Sequence, residues 1–255
     1  MSRSPDLVSP RQLARALGVS ESSLKRWCDQ GLIESARTAG GHRRMAVGSA
    51  VRFARERNLT LAEPAILGLP DATRSAELAP EQAASKLAEA LLVGDEALAV
   101  RIVVELYLAG RPLSLICDAM IAGAFGRIGE RWEHRQADVY EERRAVEIMR
   151  RILFELRRLQ PSPSDPWLAM GGTLEDDPYV LGAASAELVL REAGFRSQLL
   201  GTGIPLGSMT NAVRRHRPHL LWLSIAVIRD EERFFDQFAR LAEACREHRS
   251  ALVVG

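Results

Sequence analysis

The 255-residue chain has few cysteines: three, Cys28, Cys117 and Cys245, far apart and odd in number. They form no zinc or redox spacing, so the expected setting is a reducing cytoplasm and the expected role of each is a buried small side chain. No apolar run is long enough to span a bilayer, and the start shows no basic segment followed by an apolar one. Neither a membrane partner nor a secretory leader is expected. Internal repeats and low-complexity tracts are absent as well. The carboxylate clusters Glu141-Glu142 and Glu175-Asp176-Asp177 have no nucleophile or base at defined spacing and read as solvated acids. Gly171-Gly172 follows an apolar run but is not a complete dinucleotide fingerprint. His216 and His219 flank Pro218, which prevents a helical ligand face. No enzymatic activity is expected.

The most informative stretch is residues 8–44, VSPRQLARALGVSESSLKRWCDQGLIESARTAGGHRR. Ser9-Pro10 is a helix start, because a serine oxygen can accept an orphan N–H and proline fits the first helical position. Leu13, Ala14 and Leu17 share one face at helical spacing. Gly18 suits a left-handed turn, and Ser20 caps a second helix that Gly31 ends. That helix exposes Ser22, Ser23, Lys25 and Arg26, while Leu24 and Trp27 turn inward. Thr38-Ala39-Gly40-Gly41 reads as a tight turn, followed by His42-Arg43-Arg44. The order is that of a helix-turn-helix with a basic wing, suited to base edges in a major groove and to flanking phosphates. Residues 1–60 hold eleven Lys/Arg against five Asp/Glu, a local net charge of +6, whereas the whole chain is only +1. The basic excess therefore belongs to this module.

Hydrophobic residues make up 47% of the chain, enough for real cores in two or three modules. Residues 63–80, with Pro64, Pro70 and Pro80, read as a linker, and QPSPSDP at 160–166 marks a second boundary. Between them, segments 81–93, 95–109, 112–134 and 137–159 carry apolar residues at three- and four-residue spacing and predict an antiparallel four-helix bundle over 81–160. The remainder, 161–255, alternates apolar runs with helices. Strands are expected at 167–173, 196–201, 219–228 and from 251, with helices at 180–193, 206–216 and 230–248. This is a doubly wound, Rossmann-like parallel α/β domain. Its ligand end lies beyond the strand carboxyl ends, at Thr173–Gly182, Gly201–Pro205 and Ser224–Arg229. A complete five-stranded domain needs about one further βα unit, so the domain is expected to be incomplete after strand four. The fold class is thus multidomain: winged helix-turn-helix (1–62), linker (63–80), bundle (81–160) and α/β domain (161–255).

Residues 6–57 resemble the DNA-binding domain of MerR-type regulators, notably in GLIESARTAGGHRRM and the helix after the wing. The resemblance implies that Ser22, Ser23, Lys25 and Arg26 sit at the groove and that Arg37, Gly41, His42, Arg43 and Arg44 serve the wing, Gly41 by close backbone approach to phosphate. Over nearly the whole chain the order of modules resembles the light-responsive, adenosylcobalamin-dependent repressor branch of that group. In that branch adenosylcobalamin lies between bundle and α/β domain and favours tetramers on operator DNA in the dark. Light then breaks the cobalt–carbon bond and releases the DNA. The branch's upper-face motif, Trp-x9-Glu-His, is met by Trp132, Glu142 and Arg143, with Arg in place of His. Its lower-face motif, Asp/Glu-x-His-x-x-Gly, is met by Asp177, Tyr179 and Gly182, with Tyr at the cobalt ligand. Of Ser-x-Leu/Thr after strand three only Ser224 matches, and of the Gly-Gly after strand four only Gly255 is present.

The resemblance therefore implies a double-stranded operator, a homodimer or homotetramer, and adenosylcobalamin or a related corrinoid. The substitution at Tyr179 leaves another flat chromophore, or none, open, because a phenol with a pKa near ~10 ligates a metal less readily than neutral imidazole. Two other functions stay open. One is a corrinoid carrier for methyl transfer, against which the basic N-terminal module argues. The other is a ligand-independent regulator whose sensor domain binds a protein.

Overall fold

Ser9 starts the first helix as its sequence predicts. In this computed structural model the residues described are 7–70, 77–160 and 167–255, so residues 71–76 and 161–166, within the two expected linkers, lie outside them. Ser9 Oγ accepts from the Gln12 N–H at 3.3 Å and the Ser9 N–H donates to Gln12 Oε1 at 3.0 Å, a reciprocal cap on α1 (Pro10–Leu17). Strand β1 (Leu7–Val8) precedes it. Gly18 turns the chain at φ +65°, and Ser20 caps α2 (Glu21–Asp29) by accepting from the Ser23 N–H. Then β2 (Ser35–Arg37) and β3 (Arg43–Ala46) form the wing hairpin, with β1 on the other side of β3. The last helix of the module is α3 (Val47–Glu56). Leu13, Leu17, Leu24 and Met45 are buried, and Trp27 lies 4.8 Å from Phe53, ring to ring.

The stretch read as a linker is partly folded. The N–H of Ala62 donates to Ala16 O at 2.8 Å, Glu63 pairs with Arg15 at 2.6 Å, and a 3-10 turn at Pro64–Leu67 buries Leu67. The prolines do break helix there, but two leucines give the turn an apolar side to bury against α1.

The bundle follows as α4 (Pro80–Val93), α5 (Glu96–Leu108), α6 (Leu113–Leu115), α7 (Ala122–Glu133) and α8 (Val139–Leu159). A π-helical turn at Ile116–Ile121 joins α6 to α7, so the single helix expected over 112–134 is wider in its middle. Asp95 caps α5, accepting from the Leu98 N–H at 2.9 Å. On α8, arginine pairs recur every seven residues, close to two helical turns. Arg144 donates to Leu92 O on α4, and Arg151 forms two bonds to Glu96, at 2.8 and 2.9 Å.

The winged module and the bundle belong to one compact unit; the chain divides only at residues 161/162. Two contacts make the joint. Gly48 of α3 lies so close to the end of α8 that a Cβ there would sit 3.0 Å from Gln160 O and 3.1 Å from Arg158 O. Arg55 of α3 donates to Arg111 O at 2.9 Å, and its guanidinium carbon lies 3.8 Å from the ring centre of Tyr107, which is 2% exposed.

In the second unit β4 (Leu168–Leu174), α9 (Leu181–Glu192), β5 (Arg196–Ile204), α10 (Leu206–His216), β6 (Leu220–Ser224), α11 (Glu231–Glu247) and β7 (Ala251–Val254) form a parallel sheet in the order β5-β4-β6-β7. Leu168, Met170, Leu221 and Leu223 pack with α10 and α11 on one face. The alternate residues of the same strands, Gly171 and Trp222 among them, face the side of α9. Gly171-Gly172 lies inside β4, as the strand expected at 167–173 has it. Two expectations are corrected. β5 runs on to Ile204, because Gly201 (φ +109°) and Gly203 (φ +69°) are absorbed as irregularities in the ladder and do not end the strand. β6 stops at Ser224, not Ile228, because the Ala226 N–H is taken by a side chain from another loop. Cys117 and Cys245 are buried and Cys28 half-buried; burial pushes the Cys245 thiol up. Among the described residues no helix is long and apolar enough to cross a membrane.

Replacing Gly48 by Val should force α3 away from the end of α8 and cost about 1–3 kcal/mol, read as a lower urea midpoint. Arg151 holds the Glu96 carboxyl below its ordinary value of 4.5. The stability this lends is full above that value and is lost as the pH falls below it. Glu96→Gln should therefore flatten the acid limb of stability below pH 4.5, measured by thermal unfolding across pH.

Candidate functional site

The exposed face of α2 is built by its caps. Ser22 is exposed, whereas Ser23 is half-buried and its hydroxyl lies 3.0 Å from Ser20 Oγ, so Ser23 is partly spent on the helix start. Lys25 and Arg26, further along, are exposed and form no ion pair among the described residues. Leu24 between them is fully buried and fixes which way the helix faces.

The wing turn is held by its own backbone. Thr38 N–H donates to His42 O at 2.9 Å and Gly41 N–H to Thr38 O at 2.8 Å. Gly41 sits at φ +78° with open space where a side chain would be, so the tip is bare backbone. Arg37 and His42 are exposed and Arg44 half-buried. Arg43 differs from them. Its guanidinium bonds Asp29 at the end of α2, at 3.0 Å, with the side chain only 23% exposed. That bond raises its pKa above the usual arginine value. Sequence reading groups Arg43 with the other wing cations, but the structure ties it to α2, where it braces the wing.

In the α/β unit the sequence-marked residues come together at the carboxyl ends of β4 and β6. Asp177 is 4% exposed. Its Oδ1 accepts from the Tyr179 N–H at 2.9 Å and its Oδ2 from the Ala226 N–H at 2.7 Å, so one carboxylate joins the loop after β4 to the loop after β6. Gly182, at the start of α9, meets Ser224 so closely that a Cβ would lie 2.6 Å from Ser224 Oγ. Tyr179 projects outward, 54% exposed. Glu175 pairs with Arg233 at 2.8 Å.

These residues do not compose a metal-ligating set. Among the described residues no three His, Cys, Asp or Glu side chains stand where they could hold an ion, and the loops at this end contain no His or Cys. His216 and His219 belong to the opposite end of the sheet, where His219 Nδ1 lies 3.2 Å from the Leu168 N–H. The carboxylate beside the ligand position is already occupied by two backbone donors.

The bundle carries marked residues of its own. Trp132, near the end of α7, is 50% exposed, Glu142 half-buried and Arg143 exposed. Sequence reading missed a polar hollow of about 390 Å³ between α4 and α7, lined by Ser85, Arg127, Glu130, Arg131 and His134. Its one advance signal was Arg127 and Arg131 at helical spacing. Reading also missed Trp222, which is 3% exposed and lies against Gly171 so closely that no Cβ would fit.

Asp177→Asn should leave one of the two backbone N–H groups facing an amide NH2 instead of an acceptor. A cost of about 1–3 kcal/mol is expected, seen as a lower melting temperature of the full chain.

Comparison with known proteins adds to this geometry. The MerR family regulatory protein model matches residues 9–44, and the B12 binding domain model matches residues 83–157. The HTH-type transcriptional repressor CarH of Myxococcus xanthus is 30% identical over 137 residues, 54% of this chain and 46% of that protein. The chain thus aligns with about half of that relative's length. The monomethylamine corrinoid protein of Methanosarcina barkeri shares the fold, with a TM-score of 0.53 at 19% identity, over 69% of this chain and 84% of its own. The chain joins a MerR-type regulatory module to a B12-binding-type module.

Proposed function

We propose that the chain is a sequence-specific DNA-binding transcriptional repressor whose bundle and α/β domain form a corrinoid-responsive sensor. The observation that carries the DNA part is the pair of cations, Lys25 and Arg26, without an ion pair among the described residues, on the exposed side of a second helix capped by Ser20. Such a helix offers charge to phosphates and donors to base edges. Ser22 sits at the same end. Arg37, Arg44 and the bare Gly41-His42 tip supply a second, wing contact. Arg43 acts through position: bonded to Asp29, it fixes the wing against α2. Two copies of the chain reading two half-sites would gain affinity by avidity, which is the role proposed for a homodimer or homotetramer.

The corrinoid part rests on the B12-binding-domain match over the bundle, with the exposed rings of Trp132 and Tyr179 as flat apolar surfaces, each in its own unit. The residues present do not fit a cobalt held by the protein, so no bond from cobalt to Tyr179 is part of this reading. A light response belongs to the proposal as the resemblance implies it. The protein is read as a regulator and not as a methyl carrier, because a carrier has no use for a capped, cationic second helix.

Duplexes enriched from a random library by the full chain should share a two-part motif. On the enriched duplex, Arg26→Ala should weaken binding and lower the slope of log affinity against log salt by about 0.9, one phosphate contact. Arg43→Ala should weaken binding with the slope nearly unchanged. Failure to enrich any motif would sink the reading. An equal loss of slope in both variants would instead return Arg43 to the phosphates.

A further inference from the structure

The volume directly beneath the ligand-end loops of the α/β unit is filled, and this decides how a corrinoid can meet it. On the face of the sheet that α9 covers, Ser224 stands at the top of β6 against the backbone of Gly182. Two residues further down the same face lies Trp222, an indole 3% exposed. It occupies the space over Gly171 of the neighbouring strand, where even a methyl group would collide. Thr173, on that face too, is fully buried. Among the described residues the Trp222 N–H and the Thr173 hydroxyl have no hydrogen-bond partner. An indole this buried, set against a neighbouring backbone that leaves no space for a methyl group, is a tight filling. On the other face the leucines and methionines of the core are equally closed.

Cobalamin carries its own benzimidazole beneath the metal, on a nucleotide tether from the ring. A protein ligand arriving from below must displace that base, and the displaced base and tether then need room beside the new ligand. Here there is neither the ligand nor the room. The loops hold no imidazole, Asp177 is committed to two backbone donors, and Trp222 fills the ground below.

We propose that this α/β unit does not hold a cobalamin base-off: among the described residues no side chain at its ligand end is placed to take the lower face of the cobalt, and Trp222 fills the space that the displaced base and tether would need. The proposal rests on the corrinoid reading above. Loss of the ligand histidine and the presence of a filling tryptophan then become one change and not two, since a vacated tether space would otherwise be a hole in the core.

The test uses adenosylcobalamin and the full chain, mixed in the dark and desalted. A retained corrin band with the red, base-on spectrum is the expected result. A retained band with the yellow, base-off spectrum overturns the proposal and leaves the corrinoid reading standing. No retained band overturns the corrinoid reading and the proposal with it. The variant Tyr179→His changes an exposed residue and restores an imidazole at the motif position. It should bind with the base-on spectrum unchanged, because the tether still has nowhere to go. Conversion of that variant alone to the base-off form would show that Trp222 does not close the space.

Discussion

The placement of Arg55 over the ring of Tyr107 is the contact on which the first unit depends. A half-buried guanidinium on a buried aromatic face is worth roughly 1–2 kcal/mol, and its bond to the Arg111 carbonyl fixes its direction as well. The close approach of Gly48 to the end of α8 adds a second point of attachment. Two points separated along one helix hold it in orientation as well as in place. Helix α2, which buries Leu24 and sets Trp27 against Phe53 of α3, inherits that orientation. The charges of Lys25 and Arg26 would be of little use on a helix whose aim was not set.

The α/β unit solves a similar problem with a carboxylate. Asp177 accepts one N–H from its own loop and one from the loop after β6, so two loops that sequence separates are joined by a single buried side chain. A carboxylate in that position elsewhere orients an imidazole ligand. Here the same group serves the backbone. The exchange agrees with the indole that closes the sheet below: both turn a place for a ligand into a piece of core.

Much of this was legible beforehand because it is local. Ser9-Pro10, Ser20 and Gly18 act within four residues, and each does what its chemistry predicts. The four helices of the bundle and the alternation of strand and helix follow from apolar periodicity. What escaped is what depends on partners distant in sequence. Arg43 and Asp29 are fourteen residues apart and nothing in their spacing marks a bond. β6 ends early because Asp177, forty-nine residues before Ala226, takes its N–H. The strand expected to end at Gly201 runs on through Gly203 to Ile204, since glycine signals both strand ends and strand irregularities and only the neighbouring strand decides which. The joint between α3 and the bundle escaped for a further reason: prolines after residue 63 suggested slack, but slack in the covalent connection does not prevent the folded surfaces from docking.

That joint makes α8 a lever. Its 21 residues span about 30 Å, with Glu142 near one end and the contact to Gly48 at the other. A tilt of about 10° over that length is a movement of about 5 Å, larger than the ~3.4 Å rise between base pairs. Under the proposed function, an arm of this stiffness would carry a small rearrangement at the bundle end into a loss of register on the duplex. Operator half-sites for such a protein should tolerate sequence changes better than they tolerate insertion of a single base pair.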